Sequence, residues 1–135
     1  MSQRLRALVK DPVERIDIER DGWWADLVLD EFAFLKEHGY ELAQVRFHFR
    51  GNFVRFLGRK CEVVLTYAPE DGGYFDAELW FPPPHHPRVV PLDRLLVEHD
   101  PTLQLPPKTS FDSDTITAWV RMWAAGLRQF APQVL

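Results

Sequence analysis

Residues 40–81, YELAQVRFHFRGNFVRFLGRKCEVVLTYAPEDGGYFDAELWF, read as four consecutive short strands joined by tight turns. Val45, Phe47 and Phe49 alternate with Arg46, His48 and Arg50, the period of two expected of a strand with one buried face. Gly51-Asn52 follows as a two-residue hairpin turn. Val54 and Phe56 then alternate with Phe53, Arg55 and Leu57, and Gly58-Arg59-Lys60 supplies the next turn. Cys61, Val63, Leu65 and Tyr67 form the inward set of the third strand. In Pro69-Glu70-Asp71-Gly72-Gly73, two glycines readily supply the positive φ of a turn. The fourth strand places Phe75, Ala77, Leu79 and Phe81 on one side and Tyr74, Asp76, Glu78 and Trp80 on the other. Parallel pairing would need long crossovers, so these short links specify an antiparallel meander.

One aromatic helix flanks the meander on each side. The first starts at Asp21, whose side chain can cap the free amides of the first turn, and stops before Gly39. At about 100° per residue, Trp23, Trp24, Leu27, Val28, Phe32, Phe34 and Leu35 fall within one half of its wheel, with Glu31 near the centre of that arc. The last helix takes Asp112 or Ser113 as its cap and Asp114 at the positive end of its dipole. Its residues Ile116, Trp119, Val120, Trp123, Leu127 and Phe130 fall within an arc of roughly 100°, which reads as core packing. Between sheet and last helix, Leu92, Leu95 and Leu96 suggest a short helix from Pro91 to about His99, ended by Asp100-Pro101. In residues 1–20, Leu5, Leu8 and Val9 could make one helical turn that Asp11-Pro12 would stop, and Ile16 and Ile18 could form a short edge strand. The expected fold is a single α+β domain over residues 1–135. A four-stranded antiparallel meander (about 40–81) is packed on one face by the N-terminal and C-terminal amphipathic helices, and residues 82–90 form a proline-rich link.

With 46% hydrophobic and 13% aromatic residues, a chain of 135 can bury a substantial core. Its net charge of −4 is mild and both signs are spread along the chain, which argues against a nucleic-acid surface. The lone Cys61 excludes an internal disulfide and fits a reducing compartment. Arg4, Arg6 and Lys10 are followed by no apolar run, so no ordinary secretory signal is expected. Nor does any segment approach the roughly 18 apolar residues that span a bilayer. The expectation is a soluble, cytoplasmic protein that meets neither membrane nor nucleic acid.

No catalytic or cofactor motif stands out. His85 and His86 are adjacent in a proline-rich link and lack a spaced Cys or acidic partner, so a stiff connector is the better reading than a metal site. His99-Asp100 invites a dyad, yet no serine or cysteine sits in a nucleophile-elbow context. Cys61 reads as a small buried hydrophobe, although Arg59 and Lys60 could lower a thiol pKa. Gly72-Gly73 precedes a strand and not a helix, so it is no phosphate loop. Glu31 either snorkels or pairs with a basic residue of the sheet; held in an apolar pocket, it would instead suit acid/base work. No catalytic residue, cofactor or metal is assigned.

The second face of the sheet is the remaining candidate. It would present Arg46, His48, Arg50, Phe53, Arg55, Leu57, Glu62, Val64, Thr66, Tyr74, Asp76, Glu78 and Trp80, basic on the first two strands and acidic on the fourth. Such a face can simply be solvated. Aromatics set among Arg and acidic residues are also what protein-binding surfaces use, and Arg46, His48, Arg55, Asp76, Glu78 and Trp80 are the expected partner-binding residues.

The element order carries a resemblance. A helix ending Glu31-Phe32-Ala33-Phe34-Leu35 before Gly39-Tyr40, four strands, Val90-Pro91-Leu92-Asp93-Arg94-Leu95-Leu96 and a closing helix together resemble small bacterial immunity proteins of polymorphic toxin systems. The resemblance covers roughly residues 21–130 and is one of apolar pattern. It implies a role, neutralising a cognate toxin by direct binding, and no individual residue. Two alternatives stay open. One is a module holding an apolar ligand between sheet and helices with Glu31 or His48 as its polar anchor; the other is a small enzyme using such a pocket.

Overall fold

The computed structural model describes residues 2–9, 12–48, 51–69, 73–82, 88–108 and 111–135, with 12–17 by their backbone. Five antiparallel strands form one sheet in sequence order: β1 (Glu41–Arg46), β2 (Asn52–Leu57), β3 (Glu62–Ala68), β4 (Tyr74–Phe81) and β5 (Arg88–Pro91). The expected meander is therefore present with one strand more. β5 sets Val90 opposite Leu79 and Val89 opposite Trp80. At four residues it is too short for an alternation to be read, and it ends on the proline expected to open the next helix.

The first hairpin also differs from its expected form. The last β1–β2 pair is Arg46 with Phe53, so Gly51-Asn52 is not a two-residue turn. Asn52 instead begins β2 with its side chain buried. Its Nδ2 donates to Asp21 at 3.1 Å, and its Oδ1 accepts the His48 backbone N–H at 3.3 Å. Phe47 is buried as expected, while Phe49 and Arg50 lie outside the described residues. So do Glu70, Asp71 and Gly72 of the third turn, where Gly73 holds a φ of 69°.

Four helices, α1 (Gln3–Leu8), α2 (Pro12–Glu31), α3 (Leu92–His99) and α4 (Ser113–Val134), and a 3-10 helix (Ala33–His38) complete the described structure. The expected N-terminal helical turn is present as α1, which ends at Leu8 ahead of Pro12. Pro12 then opens α2, as its fixed φ allows at a first helical position, and α2 overturns two expectations. Residues 16–18 are helical, not an edge strand, and Ile18 is buried. Asp21 is consequently a mid-helix residue and not a cap. Its buried carboxylate is held by Arg20 (2.9 Å) and by Asn52. α3 and α4 follow the sequence reading, and Asp112 caps α4 by accepting the Thr115 N–H at 2.8 Å.

All four helices contribute to one apolar core on a single face of the sheet. Register aligns Val54, Leu65 and Ala77 in one row and Phe56, Val63 and Leu79 in the next, all buried. Onto these rows pack Trp24, Val28 and Phe32 of α2 with its following turn, and Ile116, Trp119, Val120, Trp123 and Leu127 of α4. Phe130 is only partly buried and stacks on His99, ring centres 4.9 Å apart. Close approach is bought with glycine at one corner of the core: a Cβ on Gly58 would sit 2.2 Å from the buried Tyr40 ring. Among the described residues, no helix is long and apolar enough to cross a membrane.

Candidate functional site

Among the described residues, the helices leave the second face of the sheet uncovered, and register arranges its side chains in rows. Arg46 stands opposite Phe53, Phe53 opposite Thr66, and Thr66 opposite Asp76. Gln44, Arg55, Val64 and Glu78 form the next row, and Leu57, Glu62, Trp80 and Val89 the one after. Val64 and Thr66 are buried at the centre, while Leu57, Tyr74, Trp80 and Val89 stay exposed around them.

Four of the six expected partner-binding residues converge. Arg46, His48, Arg55 and Trp80, with Gln44 and Phe53, line an open cavity of about 350 Å³ at the β1–β2 end of the face. Arg55 is its organising residue. Its guanidinium forks onto Glu62 (Nη2 to Oε2 2.7 Å, to Oε1 2.8 Å), donates to Gln44 Oε1 at 3.1 Å and lies 5.8 Å from the Trp80 ring centre. A planar donor fixed by a carboxylate on one side and an indole nearby has little freedom left to lose on binding. Glu62 also balances its charge.

Asp76 and Glu78 do not reach this cavity. Glu78 accepts weakly from Trp80 Nε1 at 3.5 Å, and Asp76 accepts from the Tyr74 hydroxyl at 3.3 Å and lies 3.8 Å from Lys108. Burial pushes the Glu78 carboxyl above its usual range, the Asp76 charge adds to this and the Trp80 bond opposes it. Burial, followed by the charges of Asp76 and Glu78, pushes the Tyr74 phenol up to about 12. The acidic end is thus a crowded pair of carboxyls flanked by two aromatic rims.

No family model, curated protein or solved structure matches this chain.

Glu31 and His99, two of the other sequence candidates, take no part in this cavity. Glu31 pairs with Arg121 of α4 at 3.3 Å, and not with a basic residue of the sheet. His99 stacks on Phe130 while the Asp100 carboxylate accepts from Thr102 Oγ1 at 2.6 Å. Cys61 is buried beside the Tyr40 hydroxyl at 3.2 Å, and burial, the main cause, pushes its thiol up. This is the reverse of the activation that Arg59 and Lys60 suggested. His85 and His86 lie outside the described residues, and among those described no three His, Cys, Asp or Glu side chains group as metal ligands. A larger groove of about 570 Å³ runs between α1, α2 and β1, walled by Leu8, Leu29, Phe32, Tyr40, Leu42 and Phe56. Neither Glu31 nor His48, the two anchors suggested for an internal ligand, lines it.

Two participants escaped the sequence reading. Gln44 could have been found by carrying the Arg46/His48 alternation back two residues. Lys108 carries no such signal, because it sits in an irregular loop. Its ammonium nonetheless lies 3.3 Å from Asp93 and about 5 Å from the rings of Phe75, Trp119 and Trp123.

Proposed function

We propose that this protein is a non-enzymatic binding protein, an immunity protein that neutralises a cognate bacterial toxin in the cytoplasm by docking it on the open face of the sheet. The observation that carries the proposal is the cavity rimmed by Arg46, His48, Phe53, Arg55 and Trp80, in which Arg55 is already fixed by Glu62 and Gln44. Arg and Trp are the residues from which binding hot spots are most often built, and holding them in place before contact reduces the ordering cost. The acidic pair Asp76 and Glu78 across the sheet gives the face two signs of charge, which set the orientation and on-rate of a partner. The resemblance in element order to immunity proteins of polymorphic toxin systems supplies the partner class.

A toxin gene is expected immediately upstream of this chain's gene, and the test is direct binding to that toxin domain. Trp80→Ala should weaken that binding by at least about 2 kcal/mol, the hot-spot threshold, and leave the melting temperature nearly unchanged. Reversing Arg46 or Asp76 should mainly slow association and blunt its salt dependence. Full affinity in Trp80→Ala together with unaltered on-rates in both charge variants would remove the open face as the docking surface.

A further inference from the structure

The two edges of the sheet are protected very unequally. At the β4/β5 side, β5 ends on Pro91, which has no N–H to offer, and beyond it Lys108 Nζ donates to the Phe75 carbonyl at 3.4 Å. Pro and Lys are the residues that blunt sheet edges against further pairing. β1, the opposite edge, pairs among the described residues only with β2, and contains neither. Its one irregularity is a register shift between Leu42 and Gln44 that leaves Ala43 without an opposite residue on β2.

The sequence of this open edge, Glu41-Leu42-Ala43-Gln44-Val45-Arg46, complements itself when reversed. An antiparallel pair with its two-fold axis between Ala43 and Gln44 sets Glu41 opposite Arg46, Leu42 opposite Val45 and Ala43 opposite Gln44. This register uses all six residues on both sides. Sliding by two residues in either direction separates both charge pairs, and sliding by one exchanges the faces of the sheet. Face matching agrees. Leu42 and Val45 stand opposite Phe56 and Val54, both buried in the core, so both belong to the helix side. Leu42 is 38% exposed there, in the same groove as Leu8 at 43%.

We propose that β1 is a homodimerisation edge, at which a second copy of this chain pairs antiparallel through Glu41–Arg46 to make one ten-stranded sheet. The contact is isologous, so each Glu41–Arg46 pair occurs twice about the axis. Leu42 of each copy is covered by Val45 of the other, which extends both cores across the seam. The interface uses the edge of the sheet and does not rest on the function proposed above. Six residues a side is well below the roughly 20–30 of a standard interface, so a dissociation constant in the micromolar range is expected.

Sedimentation equilibrium of the purified chain from about 1 μM to about 1 mM is the test, a range that brackets such an affinity. A monomer–dimer equilibrium is expected, and monomer mass throughout would overturn the proposal. Glu41→Arg and Arg46→Glu should each weaken dimerisation at least tenfold while each variant still unfolds cooperatively as a folded monomer. Mixed one to one, the two variants should associate as well as the parent, because every pair across the axis then joins Arg to Glu. A parent dimer indifferent to both reversals, or two non-associating variants that fail to complement, would sink the assigned register and the proposal with it.

Discussion

Removing the Asn52 side chain takes a partner from two groups at once, the buried Asp21 carboxylate of α2 and the His48 backbone N–H at the mouth of the candidate site. Arg20 still holds Asp21, so the expected cost of Asn52→Ala is about 2 kcal/mol, within the range for leaving a buried polar group short. Urea unfolding reads this directly, and an unchanged midpoint would show the bridge to be idle. Glu78 makes the opposite kind of prediction. Its carboxyl is raised in the folded protein, so the native state binds a proton more readily than the unfolded chain. Linkage then makes this group's contribution fall as pH rises from the ordinary glutamate range through the raised value. Glu78→Gln should therefore raise the melting temperature at neutral pH, with the gain vanishing below about pH 4, where the unfolded carboxyl is itself protonated. A gain independent of pH would contradict this sign.

At the scale of elements, α4 and its neighbours are tied by more than apolar contact. Trp123 is buried against the sheet, donates Nε1–H to Asp93 in the first turn of α3 and receives the Lys108 ammonium over its ring. Trp123→Ala should cost about 3–5 kcal/mol, as truncation of large core aromatics does, and a loss below about 1 kcal/mol in urea would mean the helix face is wrongly placed. The sequence made this legible because six apolar residues repeat at helical spacing over four turns. β2 to β4 were legible for the matching reason, alternation sustained over six to eight residues. The first half of α2 was not. Ile16 and Ile18 are spaced by two, which mimics a strand, and Asp21 is a residue type that caps helices, yet here it is engaged sideways by Asn52. β5 is too brief for any period, and the shift around Ala43 that turns Leu42 toward the helix side leaves no mark in composition.

For the whole molecule, the decisive property is that the four described α-helices lie on the same side of the sheet. Alternation along β2, β3 and β4 was enough to sort their described residues onto the two faces, whereas Gln44 of β1 and Val89 of β5 were missed. The convergence of Arg46, His48, Arg55 and Trp80 on one cavity, with Asp76 and Glu78 left outside it, was not readable in advance, because it depends on the register between strands. The one-sided arrangement also divides the five indoles into two optical classes. Trp24, Trp119 and Trp123 are sealed in the core, whereas Trp23 and Trp80 are 36% and 38% exposed, and only Trp80 looks out from the open face. Acrylamide should quench the emission of Trp23 and Trp80 and spare the other three. In a Trp23→Phe variant the quenchable fraction should then be that of Trp80 alone, and unaltered quenching in Trp80→Phe would contradict its exposure. The protein thus carries a built-in fluorophore on the surface proposed to meet its partner: docking there should shield this one emitter, shift its light to the blue and report the encounter without any added label.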